Sequence, residues 1–141
     1  MTFKHIFSLI NKTDSRKFNI KASYIEVYLM QIYNEQVNDL LNSSKTNLEI
    51  RESLYTGIYI HGITEIVLKD VNHAMELLWT GDHTKKLAET QMNSKSSRSH
   101  TVFRLLVESQ DNKKYLSTLN IVDLAGSEAV SKTKAENERL T

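Results

Sequence analysis

The sequence predicts an α/β fold, and three observations carry that reading. Phe3, Ile6, Phe7 and Ile10 recur at helical spacing, and a second helical pattern follows Asn72. Long runs rich in β-branched and aromatic residues lie between and after them. Near the end, residues 101–108 and 115–122 alternate cleanly around a polar Asp111-Asn112-Lys113-Lys114 turn.

The elements follow in order. Phe3 to Ile10 reads as the last turns of a helix, stopped by the polar Asn-Lys-Thr-Asp-Ser run. Phe18 to Tyr33 favours strand. Asn34 to Leu41 reads as a short helix, with Asn34 as cap and Val37, Leu40 and Leu41 on one side. Asn42 to Asn47 is a polar loop. Leu48 to Lys69 reads as short strands broken at Thr56-Gly57 and His61-Gly62. Asn72 is the expected N-cap of the next helix, whose buried stripe would use Ala74, Leu77, Leu78, Leu87 and Ala88. Gly81 costs that helix about 1 kcal/mol relative to Ala, which makes a break there an expectation.

The final pair is read as a β-hairpin. Phe103, Leu105 and Val107 share one face, and Val102 and Leu106 the other. Antiparallel pairing centred near Asn112 sets Thr101 opposite Asp123.

Bulk properties exclude several classes. With 141 residues, 40% hydrophobic and 25% charged, the chain suits one ordinary globular domain, residues 1–141. A net charge of +1 gives no reason to invoke nucleic acid or an anionic membrane. No apolar run approaches a membrane span, and the first residues lack a signal-peptide pattern. Without cysteine there is neither a disulfide framework nor a thiolate metal site. The four glycines stand at 57, 62, 81 and 126, and no Gly-Lys dipeptide occurs. A Gly-x-x-x-x-Gly-Lys-Ser/Thr phosphate loop is therefore excluded within these residues.

Two segments carry chemistry. In Asp123-Leu124-Ala125-Gly126, an apolar strand ends in a carboxylate that suits magnesium, a hard cation preferring oxygen. Gly126 can bring a backbone N–H against a phosphate where a side chain would collide. An edge-strand Asp opening a plain loop fits that pattern equally. In Ser96-Ser97-Arg98-Ser99-His100, hydroxyls can approach phosphate oxygens or metal-bound water, and the guanidinium can fork onto a carboxylate such as Glu128. The plain alternative is a solvated serine-rich loop. His100 reads as a structural residue at a strand start rather than as a proton carrier.

Taken together, the two segments resemble the nucleotide-sensing switches of the kinesin motor family. Asn93-x-x-Ser96-Ser97-Arg98-Ser99-His100 is similar to its switch I, and Asp123-Leu124-Ala125-Gly126-Ser127-Glu128 to its switch II. Ile32-Tyr33-Asn34-Glu35 with Asp39-Leu40-Leu41, Thr90-Gln91-Met92-Asn93, and Arg139-Leu140 extend the likeness over nearly the whole chain.

The resemblance implies a phosphate-loop NTPase-like motor fold, a mixed central sheet flanked by helices. It implies ATP and Mg2+ as cofactors, microtubules (tubulin) as partner, and a cytoplasmic, cytoskeletal location. Homodimerisation would run through regions outside this chain. It assigns Ser97 and Asp123 to magnesium, and Ser96 and Gly126 to the terminal phosphate or attacking water. Asn93 and Ser99 would line the nucleotide, and an Arg98–Glu128 salt bridge would close the pocket. Ser15-Arg16-Lys17-Phe18 and residues 47–52 are similar to the centromere-associated mitotic branch, which would extend the location to the spindle.

The chain also departs from the family pattern. The phosphate-loop strand is expected upstream of Met1, and the C-terminal microtubule-binding helices beyond Thr141. About five residues, Val27 to Gln31, look inserted in a strand, and an odd insertion would swap its faces unless a bulge or loop absorbs it. Ala129, Lys134 and Asn137 stand where the family has arginine, glycine and glycine. Lys132 and Lys134 could meet acidic tubulin, against the plainer reading of a solvated basic loop. The alternative to a motor slice is a degenerate kinesin fold that binds tubulin or another protein without catalysis.

Overall fold

The computed structural model describes residues 2–29, 35–92 and 98–126. Its elements run α1 (Thr2–Asn11), β1 (Lys17–Leu29), β2 (Glu35–Asp39), β3 (Ile50–Ser53), β4 (Gly57–Ile60), β5 (Ile66–Val67), α2 (Val71–Met92), β6 (Ser99–Gln110) and β7 (Lys114–Asp123). The main sheet has the order β2-β1-β6-β7, with β5 pairing β1. Every pairing among the described residues is antiparallel.

The helices cover one face of this sheet because their apolar stripes match its inward positions. Phe3 and Phe7 of α1 and Ala74 and Leu77 of α2 pack with Ile20, Ala22, Tyr24, Phe103 and Leu105. Phe103 sits at the centre, edge-on to Phe3 at 5.6 Å and to Tyr24 at 5.3 Å between centroids, a geometry favoured by ring quadrupoles. On the opposite face the β3–β4 hairpin leaves a cavity of about 400 Å³ against Ile25, Val102 and Val122. That hairpin turns through Leu54, Tyr55 and Thr56, and Gly57 takes the positive φ of 70° that closes it.

Four local expectations are corrected. Residues 35–39 are strand, not helix: Val37 and Asp39 are buried on the Ile25 side of the sheet, and the segment pairs with Ile25–Leu29 of β1. Asn34, its expected cap, lies outside the described residues. The Asp39 carboxylate then holds the turn that follows, accepting N–H groups of Leu41 and Asn42 at Oδ1 and of Thr64 at Oδ2. The cap of α2 is Asp70, whose Oδ1 accepts the His73 N–H at 2.8 Å, rather than Asn72. Helix α2 runs unbroken through Gly81, and Leu87 on its outer side is 49% exposed rather than buried.

The Val27–Gln31 insertion swaps no faces in the described part of the strand. Pairing of β1 with β6 is continuous from Lys17↔Gln110 to Tyr28↔Ser99. The pairing of β1 with β2 continues to Leu29↔Glu35. Val27, Tyr28 and Leu29 therefore extend the C-terminal end of β1, where added residues leave the inward and outward sets of the rest intact. Met30 and Gln31 lie outside the described residues.

Candidate functional site

The site is built at one end of the β6–β7 hairpin. A symmetric polar turn and two alternating strands lock its register, so Gln110 opposes Lys114 and Thr101 opposes Asp123. The strand that starts at Ser99, within the serine-rich segment, and the strand that ends at Asp123, where the Asp-x-x-Gly segment begins, thereby finish side by side. The expected Thr101–Asp123 pairing is present.

Within this end, register partners share a face but differ in burial. Thr101 is buried on the helix-covered face, and Asp123, its partner across the ladder, is exposed. Tyr24 of β1 reaches the same region and donates its hydroxyl to Asp82 Oδ1 of α2 at 2.6 Å. Burial, the Asp82 hydrogen bond and charge, and the negative charge of Asp123 push the Tyr24 phenol well above its ordinary value, opposed by the Thr101 hydroxyl. It stays a protonated donor, bracing α2 against the strand ends.

Beyond Asp123 the backbone leaves the ladder. The N–H of Ala125 is taken up by His100 Nδ1 at 2.8 Å. This bond joins the two motifs directly, a role that the strand-start reading of His100 did not foresee. Gly126 follows at once and is exposed.

Buried polar side chains gather around Ser99. Ser99 is 2% exposed and Glu26, inward on β1, is 3% exposed. Glu26 Oε1, Ser99 Oγ, Tyr28 Oη and Glu89 Oε1 have no hydrogen-bond partner among the described residues. Burial raises the Glu26 carboxyl above its ordinary value; the nearby Ser99 hydroxyl and Lys85 pull it down, and the like charge of Glu89 adds to the rise. The signal for Glu26 was present in the sequence: it continues the inward set Ile20, Ala22, Tyr24 at period two. Nothing local signals the Tyr24–Asp82 contact, which joins residues 58 apart.

Of the sequence-derived site residues, Arg98, Ser99, Asp123 and Gly126 are described. Arg98 is exposed at the start of β6 and Ser99 buried beside it. Asn93, Ser96, Ser97 and Glu128 lie outside the described residues, as do Lys132 and Lys134, so the Arg98–Glu128 pair has no geometry here. Among the described residues no three His, Cys, Asp or Glu side chains converge on a metal position. One exposed strand-end carboxylate, Asp123, fits a magnesium ion that keeps most of its water shell. No helix among the described residues is long and apolar enough to cross a membrane.

Known proteins share this fold and sequence. The family description "Kinesin motor domain" covers residues 1–141. The chain is similar to the kinesin-like protein KIN-12E of Oryza sativa subsp. japonica, 42% identical over 98% of this chain and 8% of that protein. It is similar to KIN-7N of Arabidopsis thaliana, 40% identical over 97% of this chain and 17% of that protein. Kinesin-related protein 5 of Dictyostelium discoideum is 45% identical over 85% of this chain and 12% of that protein. Among solved structures, a fast kinesin superimposes with a TM-score of 0.80 at 29% identity, covering 89% of this chain and 35% of the other.

The chain belongs to the kinesin motor-domain family. It spans a small part of these curated relatives and about a third of the solved chain.

Proposed function

We propose that residues 1–141 form one unit, the nucleotide-sensing part of an ATP-driven, microtubule-directed motor. One observation supports this reading: the β6–β7 register, with Thr101 opposite Asp123, sets the strand start that carries Ser99 and His100 beside the strand end from which Leu124 to Gly126 continue. A two-part phosphate sensor needs that proximity, because phosphoryl transfer relies on positioning and charge stabilisation rather than on covalent chemistry by the protein.

In this reading Asp123 and Ser97 hold magnesium, Asp123 through water. The Gly126 N–H reports the terminal phosphate, and Ser96 orients it or the attacking water. Asn93 lines the nucleotide, with Ser99 as the buried foot of that wall beside Glu26. Arg98 closes onto Glu128. When bound, Mg2+ neutralises charge on the ATP phosphates. Lys132 and Lys134 supply positive charge toward acidic tubulin surfaces. Membership of a microtubule-motor family favours the cytoskeleton as location.

The test compares the longest native product of the gene with its Asp123→Ala variant in a microtubule-stimulated ATPase assay. The wild type is expected to hydrolyse ATP, and the variant to lose about a hundredfold in rate, the scale of removing a group that organises transition-state charge. Microtubule binding with no ATPase in either protein would instead establish a binding module. The 141-residue chain alone, having no Gly-Lys dipeptide, is expected to show no micromolar, magnesium-dependent binding of fluorescent ATP.

A further inference from the structure

We propose that His100 is the residue that positions the phosphate-sensing loop, acting as a fixed hydrogen-bond acceptor rather than as a proton carrier. This rests on the reading of Asp123–Glu128 as a phosphate sensor and names what holds it in place. The observation is the bond from the Ala125 N–H to His100 Nδ1 at 2.8 Å, between residues 25 apart in sequence.

Three features make this bond a positioning device. The backbone ladder stops at Thr101↔Asp123, so the chain beyond Asp123 has left strand geometry and its N–H groups need other acceptors. His100 supplies one for Ala125, and the next N–H along is that of Gly126. Fixing the Leu124–Ala125 peptide leaves only φ and ψ of Ala125 to set the direction of the Gly126 N–H.

The register also places His100 and Thr101 on opposite faces of β6. His100 faces away from α2 and grips the loop from that side. On the helix side the Tyr24–Asp82 bond braces the strand ends next to Thr101. The strand ends are thus braced on the helix side, and the Ala125 peptide beyond them is held from the other.

Finally, the bond fixes the chemistry of the ring. An imidazole nitrogen accepts only when it carries no proton, so Nδ1 must be bare and the proton of the neutral ring must sit on Nε2. A histidine that served only to fill space would have no such requirement.

Two variants separate the roles. Asn at position 100 carries an amide oxygen near the place of Nδ1, whereas Leu has similar bulk and no acceptor. Isotope-edited NMR of the imidazole nitrogens should show the Nε2–H tautomer in the wild type. Amide exchange at Ala125 should be slow in the wild type and in His100→Asn, and about tenfold faster in His100→Leu, as expected for one lost hydrogen bond.

In the longest native gene product, His100→Leu should lower kcat with KM for ATP little changed, and His100→Asn should restore kcat. An Nδ1–H tautomer, or equal Ala125 exchange in all three proteins, would overturn the proposal. If exchange and tautomer behave as stated but the wild type hydrolyses no ATP, the phosphate-sensor reading fails while the positioning of the loop stands.

Discussion

Gly81 of α2 lies directly against the ring of Tyr24 on β1, so close that a Cβ at position 81 would fall among the ring atoms Cδ1 and Cε1. The helix keeps a residue that weakens it because the sheet side demands it. That contact lets α2 approach closely enough for Asp82, the next residue, to accept the Tyr24 hydroxyl.

Gly81→Ala is therefore expected to destabilise the protein, although Ala at an exposed helix site gains about 1 kcal/mol over Gly. Overpacking a well-filled core typically costs about 1–3 kcal/mol, and displacing Tyr24 also strains its bond to Asp82. The net loss should be about 1–2 kcal/mol, measured by urea denaturation. An equal or more stable variant would mean that the ring moves aside freely.

Asp39 gives a second test. Its carboxylate is 2% exposed and accepts three backbone N–H groups, from Leu41, Asn42 and Thr64. In Asp39→Asn one oxygen becomes an NH2 that faces donors and leaves at least one N–H unsatisfied. A loss of about 1–3 kcal/mol is expected, with faster amide exchange at Thr64 or at Leu41 and Asn42. Unchanged exchange at all three would contradict the anchoring role.

These two residues also show what the sequence could and could not reveal. The β6–β7 hairpin was legible to the residue because its turn is polar, its strands alternate, and its register depends only on local symmetry about Asn112. Residues 35–39 were misread because Leu40 and Leu41 extended an apparent helical stripe. The alternation of Val37 and Asp39 decides the matter only once β1 is present as a partner. The cap was displaced by two residues, from Asn72 to Asp70, since both residue types cap well. Gly81 looked like a weak point of α2, and its reason lies on another element. The two motifs were plain as sequence, whereas the His100–Ala125 bond that joins them is a tertiary fact.

The free side of β7 leads to a third prediction. Among the described residues β7 pairs only with β6, and Leu116, Val122 and Leu124 are 58%, 51% and 68% exposed. A long apolar edge with unpaired backbone groups is a template for intermolecular pairing. The 141-residue chain should self-associate in sedimentation velocity as concentration rises, and Leu116→Lys should move the onset to higher concentration. A monodisperse wild-type monomer at high concentration would refute this.

The buried carboxyl of Glu26 provides the pH test. Its ordinary value is 4.5, and burial raises it in the folded chain, where Glu89 adds to the effect and Ser99 and Lys85 oppose it. The folded protein therefore keeps this proton at pH values where the unfolded chain has lost it. Stability from this group is fully present below the unfolded value and is lost as pH rises through the raised folded value, since the folded state binds more protons within that window. Glutamine carries no charge at any pH and removes this slope. Glu26→Gln should thus be more stable than the wild type near neutral pH, by about 1–2 kcal/mol, the scale of an unsatisfied buried polar group. That advantage should shrink as pH falls toward about 4. Denaturant midpoints of both proteins across this range give the comparison. A difference independent of pH would show that Glu26 is not charged at a cost in the folded state, and would leave packing against Tyr28 and Ser99 as the reason for its place in β1.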